Sequence, residues 1–251
     1  MSTDKTAFSN KIQKELKLAK NFELELDSNG ELVVLSIENV AKVEAMIKTD
    51  SSYSTHSDEE DSESSAHLFK ELSSEIENSH PSSTLEQTSK ETIQKIVTTL
   101  DNENGTHLET DGVGREEIAD RICKLTICDF LNYLKNTEKL ELFNLISKKT
   151  TYKNKGNLKH RTNPSFASKF CHYACFYLFK GLPEQDNYSI YDSVLRRALP
   201  KYAEKYEIKC SNLKNYRNYR KIIDEIIAKS NSNISRNGFD HLLWYYHKGR
   251  K

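Results

Sequence analysis

The sequence predicts a mainly helical protein: a small N-terminal segment with a β-hairpin, an acidic linker that is disordered, and an all-helical C-terminal domain. Three observations support this fold class. Apolar residues recur at helical spacing through most of the chain from residue 115 onward. Residues 22–37 instead alternate apolar and polar side chains around Asn29-Gly30, a dipeptide typical of tight hairpin turns. Residues 50–67 are mostly serine and acidic residues, which have too little apolar surface to offset the entropy lost on folding.

The composition argues against several classes of protein. Only 36% of the residues are hydrophobic and the mean hydropathy is −0.73, so part of the chain is expected to stay unfolded. The sequence has no run of about 18 apolar residues, which argues against a transmembrane helix. Residues 1–20 lack the apolar core of a secretion signal. We therefore expect a cytoplasmic protein with reduced thiols and no cofactor.

A formal net charge of zero hides a strong separation of charge. Residues 51–111 contain 3 lysines and 14 acidic residues, whereas residues 148–251 contain 22 lysines and arginines and 8 acidic residues. Such asymmetry indicates a polyanionic partner for the basic part. We expect DNA as the partner, with RNA as an alternative, and we expect no membrane partner. Two roles stay open for the acidic region: binding to the chain's own basic face, or binding to another protein.

The N-terminal segment, residues 1–49, contains three predicted elements. Residues 10–20 have the pattern of a short charged helix. The hairpin strands are predicted near 22–27 and 31–37. Residues 38–48 follow as a helix with partly periodic apolar side chains.

Residues 50–111 are predicted to be an acidic, serine-rich linker, largely disordered or marginally helical. Leu68, Leu72 and Ile76 are spaced by four residues, which is a marginal helical pattern, and Pro81 interrupts the segment.

Residues 112–251 are predicted to form a basic helical domain. Acidic residues early in its first helix favour a helix start there, and Pro164 opens a helix that Gly181 and Pro183 end. Residues 150–163 are predicted to be a basic loop. The predicted helices cover 115–136, 137–149, 164–181, a segment beginning at 192, 212–230 and 235–248.

Lys169 is a candidate nucleophile. It lies one to two turns into the helix that Pro164 opens, among aromatic and small residues. On the apolar side of that helix, desolvation would make its amine a usable nucleophile. The alternative is a lysine whose amine reaches solvent from an otherwise buried helix.

Asp192 is the candidate carboxylate. Aspartate is favoured at a helix N-cap, where it accepts backbone N–H bonds and complements the helix dipole, so a cap without a catalytic role is one interpretation. Arg196 follows it on the same helical face. The 23 residues from Lys169 to Asp192 accommodate a helix end, a loop and a helix start, so the two side chains are also placed to meet in one cleft.

The stretches "FASKF" and "YSIYDSVLRRAL" resemble the catalytic half of the helix-hairpin-helix DNA glycosylase superfamily. In that family a lysine opens one helix of the bifunctional members, and an essential aspartate begins the next. The resemblance implies Lys169 as the Schiff-base amine and Asp192 as the carboxylate. The implied reaction is cleavage of the N-glycosidic bond of a damaged or modified base, with or without lyase activity at the abasic site. Attack on the sugar C1′ needs an amine or a water molecule, and a carboxylate stabilises the developing positive charge or takes the proton of the nucleophile.

The sequence departs from the family pattern in two respects. The family has a glycine-rich hairpin before the lysine, which donates backbone N–H groups to a DNA phosphate, but "RTNPSFAS" contains no glycine. "DGVGREE" at 111–117 resembles that hairpin, but it comes too early and lacks the lysine, and an ordinary turn before a helix is the simpler interpretation. The four cysteines that hold an iron–sulfur cluster in some members are also absent.

Basic and aromatic residues in the same half of the chain are candidates for contacts with nucleic acid. Basic side chains meet backbone phosphates and make affinity salt-dependent, and an extruded base needs an aromatic pocket. The phosphate-binding candidates are Lys153, Lys155, Lys159, His160, Arg161, Arg196, Arg197, Lys201, Arg217 and Arg220. The base-pocket candidates are Tyr173, Tyr191, Trp244 and Tyr245, although aromatic residues at helical spacing also suit a packed core.

The cysteines do not predict a metal site. Cys171, His172 and Cys175 share one helix, and Cys123 with Cys128 forms a looser pair. Zinc sites usually combine two closer cysteine pairs, and a buried cysteine without a metal behaves as a small hydrophobe.

Two classes of function follow from these observations. The first is a DNA glycosylase-like hydrolase or lyase that acts in base excision. The second keeps the helical fold and the basic face but has no catalytic activity: a nucleic-acid or protein-binding adaptor, for example in bacterial or phage defence.

Overall fold

The computed structural model describes residues 24–49, 64–104, 106, 108, 113–154 and 157–248, without the side chains of 48, 49, 153 and 154. This part of the chain is mainly helical, as the sequence predicts, with eleven α-helices and one two-stranded sheet. The described residues form two compact units: unit 1 contains those from 24–49 and 191–248, and unit 2 contains those from 64–190. The predicted helix at 10–20 and the acidic run at 50–63 lie outside the described residues.

The elements follow one another in a simple order along the chain. They are α1 (Ile37–Thr49), α2 (Ser65–Glu77), α3 (Leu85–Thr88), α4 (Lys90–Asn104), α5 (Val113–Cys123), α6 (Ile127–Lys135), α7 (Glu141–Ser147), β1 (Thr150–Asn154), β2 (Asn157–Arg161), α8 (Pro164–Leu178), a 3-10 helix (Pro183–Asp186), α9 (Ser193–Lys205), α10 (Tyr216–Ser230) and α11 (Arg236–His247). Unit 1 contains α1 and α9 to α11, and unit 2 contains the other elements.

From residue 24 onward, the predicted N-terminal hairpin is a turn closed by a single β-bridge, Leu26 to Val33, and has no longer strands. The Asp27 carboxylate accepts hydrogen bonds from the N–H groups of Glu31 and Leu32, at 3.0 and 3.1 Å. This side chain holds a turn wider than the two-residue type that Asn29-Gly30 predicts. Gly30 supplies the left-handed backbone of that turn, with φ of 70°.

Unit 1 holds this turn through its C-terminal helices. Helix α11 packs on α1 and on α9. The hydroxyl of the fully buried Tyr202 lies 3.1 Å from Nε2 of His247, and the hydroxyl of Tyr246 donates to the carbonyl oxygen of Glu31 at 3.0 Å. Residues 24–49 therefore belong to the same core as the C-terminal helices.

Residues 64–104 fold into α2, α3 and α4, where the sequence predicts a disordered or marginally helical linker. Phe69 and Leu72 are fully buried. The ring of Phe69 lies 5.7 Å from that of Phe170 and 5.8 Å from that of Tyr177, both on α8. The helical alternative of that prediction describes these residues, and the helices are packed rather than marginal because α8, which buries their apolar face, comes much later in the sequence.

The units also differ from the predicted domains. The predicted domain 112–251 is divided at Tyr191: α5 to α8 belong with α2 to α4, whereas α9 to α11 belong with α1. Charge separates an acidic region from a basic region in the sequence. Burial of apolar faces groups the helices without regard to that charge.

A β-hairpin interrupts the domain that is predicted to be all-helical. The predicted basic loop, residues 150–163, contains β1 and β2 in antiparallel register, with Tyr152 opposite Lys159 and Asn154 opposite Asn157. Lysine and asparagine are depleted in strands, and they conceal the strand pattern in the sequence.

Candidate nucleic-acid interface

Asp192 is the N-cap of α9. Its Oδ1 atom accepts a hydrogen bond from the N–H of Leu195 at 2.8 Å, which confirms the N-cap interpretation. Its Oδ2 atom makes no hydrogen bond to any residue that the structure describes, and the side chain is half-exposed. The cap therefore uses one carboxylate oxygen, and the second oxygen is left without a hydrogen bond in the described residues.

Arg196 contacts the backbone of Asp192 and not its carboxylate. Its Nε donates to the carbonyl oxygen of Asp192 at 3.2 Å, and its guanidinium lies 4.7 Å from the ring centroid of Tyr191. This position is a cation–π arrangement, in which the ring face attracts the cation. Arg196 therefore approaches Asp192, as the spacing predicts, but it binds the backbone carbonyl and not the side chain.

Tyr191 joins the beginning of α9 to the beginning of α10. It is 4% exposed, and its hydroxyl donates to the carbonyl oxygen of Leu213 at 3.0 Å. Its ring meets the edges of Tyr216 and Tyr219 at centroid distances of 5.9 and 5.0 Å. Burial, followed by the nearby carboxylate of Asp240, raises the pKa of Tyr219 well above its usual value. Tyr191 is therefore a packing residue at a junction of two helix starts.

The other aromatic candidates lie in two places. Trp244 and Tyr245 are neighbours on α11 in unit 1, with ring centroids 4.8 Å apart, and Nζ of Lys248 lies 3.7 Å from the Trp244 ring. Tyr173 is half-buried on α8 in unit 2, with its ring 5.3 Å from His172. A common base pocket for the four aromatic residues stays a prediction.

Exposed cations lie on α9 and α10 near this junction. Arg197 and Lys201 are exposed and occur one helical turn apart on α9, and Arg217 is exposed in the first turn of α10. With the half-exposed Arg196 they form what we call the α9–α10 cationic cluster: Arg196, Arg197, Lys201 and Arg217. Basic side chains with solvent access near helix starts are suited to contact phosphates.

Arg220 differs from the other predicted phosphate-binding residues because it is only 9% exposed. It lies on the face of α10 that also carries Tyr216 and Ile223, and both of these side chains are buried. Arg220 therefore does not share the exposure of the other candidates, and its contact with nucleic acid stays a prediction. The run "NYRNYRK" contains three cations, and the helix turns one of them inward.

Lys169 lies on α8 in unit 2. Its half-buried amine donates to the carbonyl oxygen of Asn104 at 3.4 Å. Asn104 is the last residue of α4, and the C-terminus of a helix attracts a cation. Lys169 and Asp192 belong to different units, and their meeting in one cleft stays a prediction.

The hairpin of unit 2 presents the remaining cations. Lys159 and His160 are exposed, and the guanidinium of the half-exposed Arg161 lies 5.2 Å from the ring centroid of Tyr152. The side chain of Lys153 and all of residue Lys155 lie outside the described part of the chain.

Sequence reasoning missed two features of this region. Leu158 is 66% exposed between cations on β2, and Lys148 and Lys149 extend the basic run to the base of the hairpin. The pattern that would have found them is the absence of any Asp or Glu from residue 142 to residue 183.

Three of the five cysteines, Cys123, Cys171 and Cys175, are buried as packing residues, whereas Cys128 is exposed. Cys171 and Cys175 are fully buried on α8. Burial also raises the pKa of the Cys123 thiol to about 11. Within the described residues, no three His, Cys, Asp or Glu side chains are grouped so that they could hold a metal ion.

Comparison with protein-family models, with curated proteins and with solved structures finds no match to this chain. The glycosylase resemblance therefore stays a prediction from the residues quoted above. In the described residues, none of the helices combines the length and apolar character needed to cross a membrane.

Proposed function

We propose that this protein binds nucleic acid and that the α9–α10 cationic cluster contacts the phosphate backbone. The observation that carries the proposal is the exposure of Arg197, Lys201 and Arg217 on two helices whose first turns are joined through Tyr191. Because Tyr191 packs against both helix starts, the backbone of these residues is already ordered, and binding costs mainly the conformational entropy of the cationic side chains.

The test is the salt dependence of binding to a DNA duplex. Each phosphate contact on B-DNA contributes about −0.9 to the slope of log affinity against log salt concentration. We expect the double variant Arg197→Ala/Lys201→Ala to bind more weakly, with a slope that is smaller by about 2. Lys90→Ala/Lys95→Ala is the matched control, since it removes two exposed cations that pair with Glu86 and Glu91 at 3.1 Å. Absence of binding at low salt, or equal slopes for both double variants, contradicts the proposal.

A second candidate function is cleavage of an N-glycosidic bond. The observation that favours it is Asp192 Oδ2, which the N-cap leaves without a hydrogen bond in the described residues. In this reaction the amine of Lys169, or a water molecule, forms a bond to the sugar C1′ while the bond to the base breaks and the base leaves with a proton. The carboxylate of Asp192 stabilises the positive charge at C1′ or accepts the proton of the nucleophile.

The cleavage candidate has two tests. We expect Asp192→Asn to abolish release of a modified base from a duplex and to leave duplex affinity unchanged. We also expect borohydride to trap Lys169 on abasic DNA. Full activity of Asp192→Asn, or a trapped adduct that persists in Lys169→Ala, contradicts the assignment of that residue. If the wild-type protein releases no base and forms no trapped adduct, the nucleic-acid-binding adaptor is the remaining proposal.

A further inference from the structure

The β1–β2 hairpin is fixed at its base to the core of unit 2. Thr150 is fully buried, and the Thr151 N–H donates to the Glu117 carboxylate at 3.2 Å. The guanidinium of Arg121 donates to the carbonyl oxygens of Lys148 and Lys149, at 3.2 and 2.7 Å. An isolated two-stranded hairpin is marginally stable, so these contacts with α5 set the direction of the ribbon.

Beyond this base, the second strand is exposed on both faces. Residues 157–160 are all exposed, including Leu158 at 66%. The strand pleat places Leu158 and His160 on one face and Lys159 and Arg161 on the other. A strand with neither face buried contributes little to the core, so its side chains are available to contact a partner.

The segment that contains the hairpin carries charge of one sign, and the Glu117 carboxylate at its base pairs with Arg121 at 3.4 Å. Residues 142–183 contain no Asp or Glu, and Lys148, Lys149, Lys159 and Arg161 lie in or beside the two strands. On one face the Arg161 guanidinium lies over Tyr152, and Arg161 Nε is buried without a hydrogen bond in the described residues. A polyanion that also offers an apolar group to Leu158 would complement this surface.

We propose that the β1–β2 ribbon enters the major groove of B-form DNA, where Leu158 contacts thymine methyl groups and Lys159 contacts phosphates. This inference rests on the proposed nucleic-acid binding and names its substrate as duplex DNA. A major groove about 12 Å wide admits a two-stranded ribbon. The thymine methyl lies in that groove and is the apolar group that a leucine can read. In A-form RNA the corresponding groove is too narrow and deep for side chains to read.

The experiment uses the full chain and two alternating duplexes, dA-dT and dA-dU, which differ only in the methyl group of the major groove. We expect the wild-type protein to bind the dA-dT duplex about threefold to fourfold more tightly, as burial of one methyl group predicts. Leu158→Ala should bind both duplexes equally, at about the wild-type affinity for dA-dU. Lys159→Ala should weaken binding to both duplexes to the same extent and reduce the salt slope by about 0.9.

Two exposed residues of the same unit serve as matched controls. Leu182 is 53% exposed, and Lys180 is exposed beyond the end of α8. Leu182→Ala and Lys180→Ala should retain the wild-type preference for the methylated duplex. The inference is overturned if the wild-type protein binds dA-dT and dA-dU equally or if Leu158→Ala retains the preference. It is also overturned if Leu158→Ala weakens binding to an alternating RNA duplex as much as to DNA.

The outcomes separate this inference from the proposed function. Absence of binding to any polynucleotide at low salt contradicts both. Normal binding with unaltered behaviour of Leu158→Ala and Lys159→Ala contradicts the inference alone. Binding to anionic lipid vesicles that Leu158→Ala abolishes, with no effect on duplex binding, assigns the exposed leucine to a lipid surface and also overturns the inference.

Discussion

Replacement of Asp192 by alanine or by asparagine distinguishes its role as a helix cap from a catalytic role at the sugar C1′ of a nucleotide. Asp192→Ala removes the acceptor for the Leu195 N–H, a bond of 2.8 Å. The loss of an N-cap side chain costs about 1 kcal/mol, and for a chain of this length that lowers the Tm by roughly 2–4 °C. Asp192→Asn keeps an oxygen at the same position and is an equally favoured N-cap, so we expect its Tm to lie close to that of the wild-type protein.

The assay combines thermal unfolding with base release from modified duplexes. Ser235→Ala is the calibration, because Ser235 caps α11 in the same unit and accepts a hydrogen bond from the Gly238 N–H at 3.0 Å. A catalytic carboxylate predicts that Asp192→Asn has normal stability and no activity, whereas a simple cap predicts that it is normal in both. A Tm for Asp192→Asn that falls as far as that for Asp192→Ala would refute the cap argument, since the amide oxygen would then not replace the carboxylate oxygen.

Three further predictions follow from burial and backbone geometry. Burial raises the pKa of the Cys123 thiol to about 11, whereas Cys128 is exposed. Alkylation at about pH 8 should therefore modify Cys128 first. Equal alkylation rates for the two cysteines, measured by peptide mass spectrometry, would contradict this. Gly114→Ala should lower the free energy of unfolding by about 1–3 kcal/mol, because the Cβ of the alanine would collide with the carbonyl oxygen of Leu108. An unchanged urea midpoint would contradict this and show that the backbone moves to make room. Burial raises the pKa of Tyr219, so folding favours its protonated form, and stability should be constant below the unfolded-state pKa of about 10 and fall above it. Urea midpoints at about pH 8 and pH 10.5 test this, and Tyr219→Phe should reduce the fall.

Features set by a few adjacent residues were predictable from the sequence. Pro164 begins α8, Asp192 caps α9, and the last predicted helix, 235–248, contains α11 with Ser235 as its cap. These signals act over one helical turn, so the rest of the fold does not alter them. A similar signal was missed at Thr126: its hydroxyl accepts a hydrogen bond from the Asp129 N–H at 3.0 Å. It therefore caps a new helix, and the predicted helix 115–136 is two helices, α5 and α6.

Features that depend on distant partners were not predictable in the same way. The helical pattern of residues 65–104 is weak by itself, and its burial is provided by α8. Arg220 lies in a run of cations, and only the packing of α10 decides that this one faces inward. The hairpin at 150–161 is stabilised by Glu117 and Arg121 on α5, which no local pattern indicates. For the same reason, the spacing between Lys169 and Asp192 permits their meeting but does not determine it.

The count of charges overstates the surface that can meet phosphates, and this gives a last prediction. Residues 191–248 contain 12 lysines and arginines, but Arg220 is buried, and several of the others, including Lys205, Lys229 and Arg236, make contacts within unit 1. Lys205 pairs with a carboxylate at 3.5 Å, Arg236 pairs with another at 2.6 Å, and Lys229 donates to two carbonyl oxygens, at 2.9 and 3.1 Å. Releasing such a cation to bind a phosphate loses the contacts that it already makes, so Lys229→Ala should leave the salt slope of DNA binding unchanged. The side chains of Lys229 and Arg197 are both exposed, but within the described residues Arg197 uses only its Nε, which donates to the carbonyl oxygen of Ser193 at 3.1 Å, so its terminal nitrogens stay available for a phosphate. Arg197→Ala should therefore reduce that slope by about 0.9. Equal reductions for the two variants would mean that net charge alone, and not the placement of individual cations, governs binding.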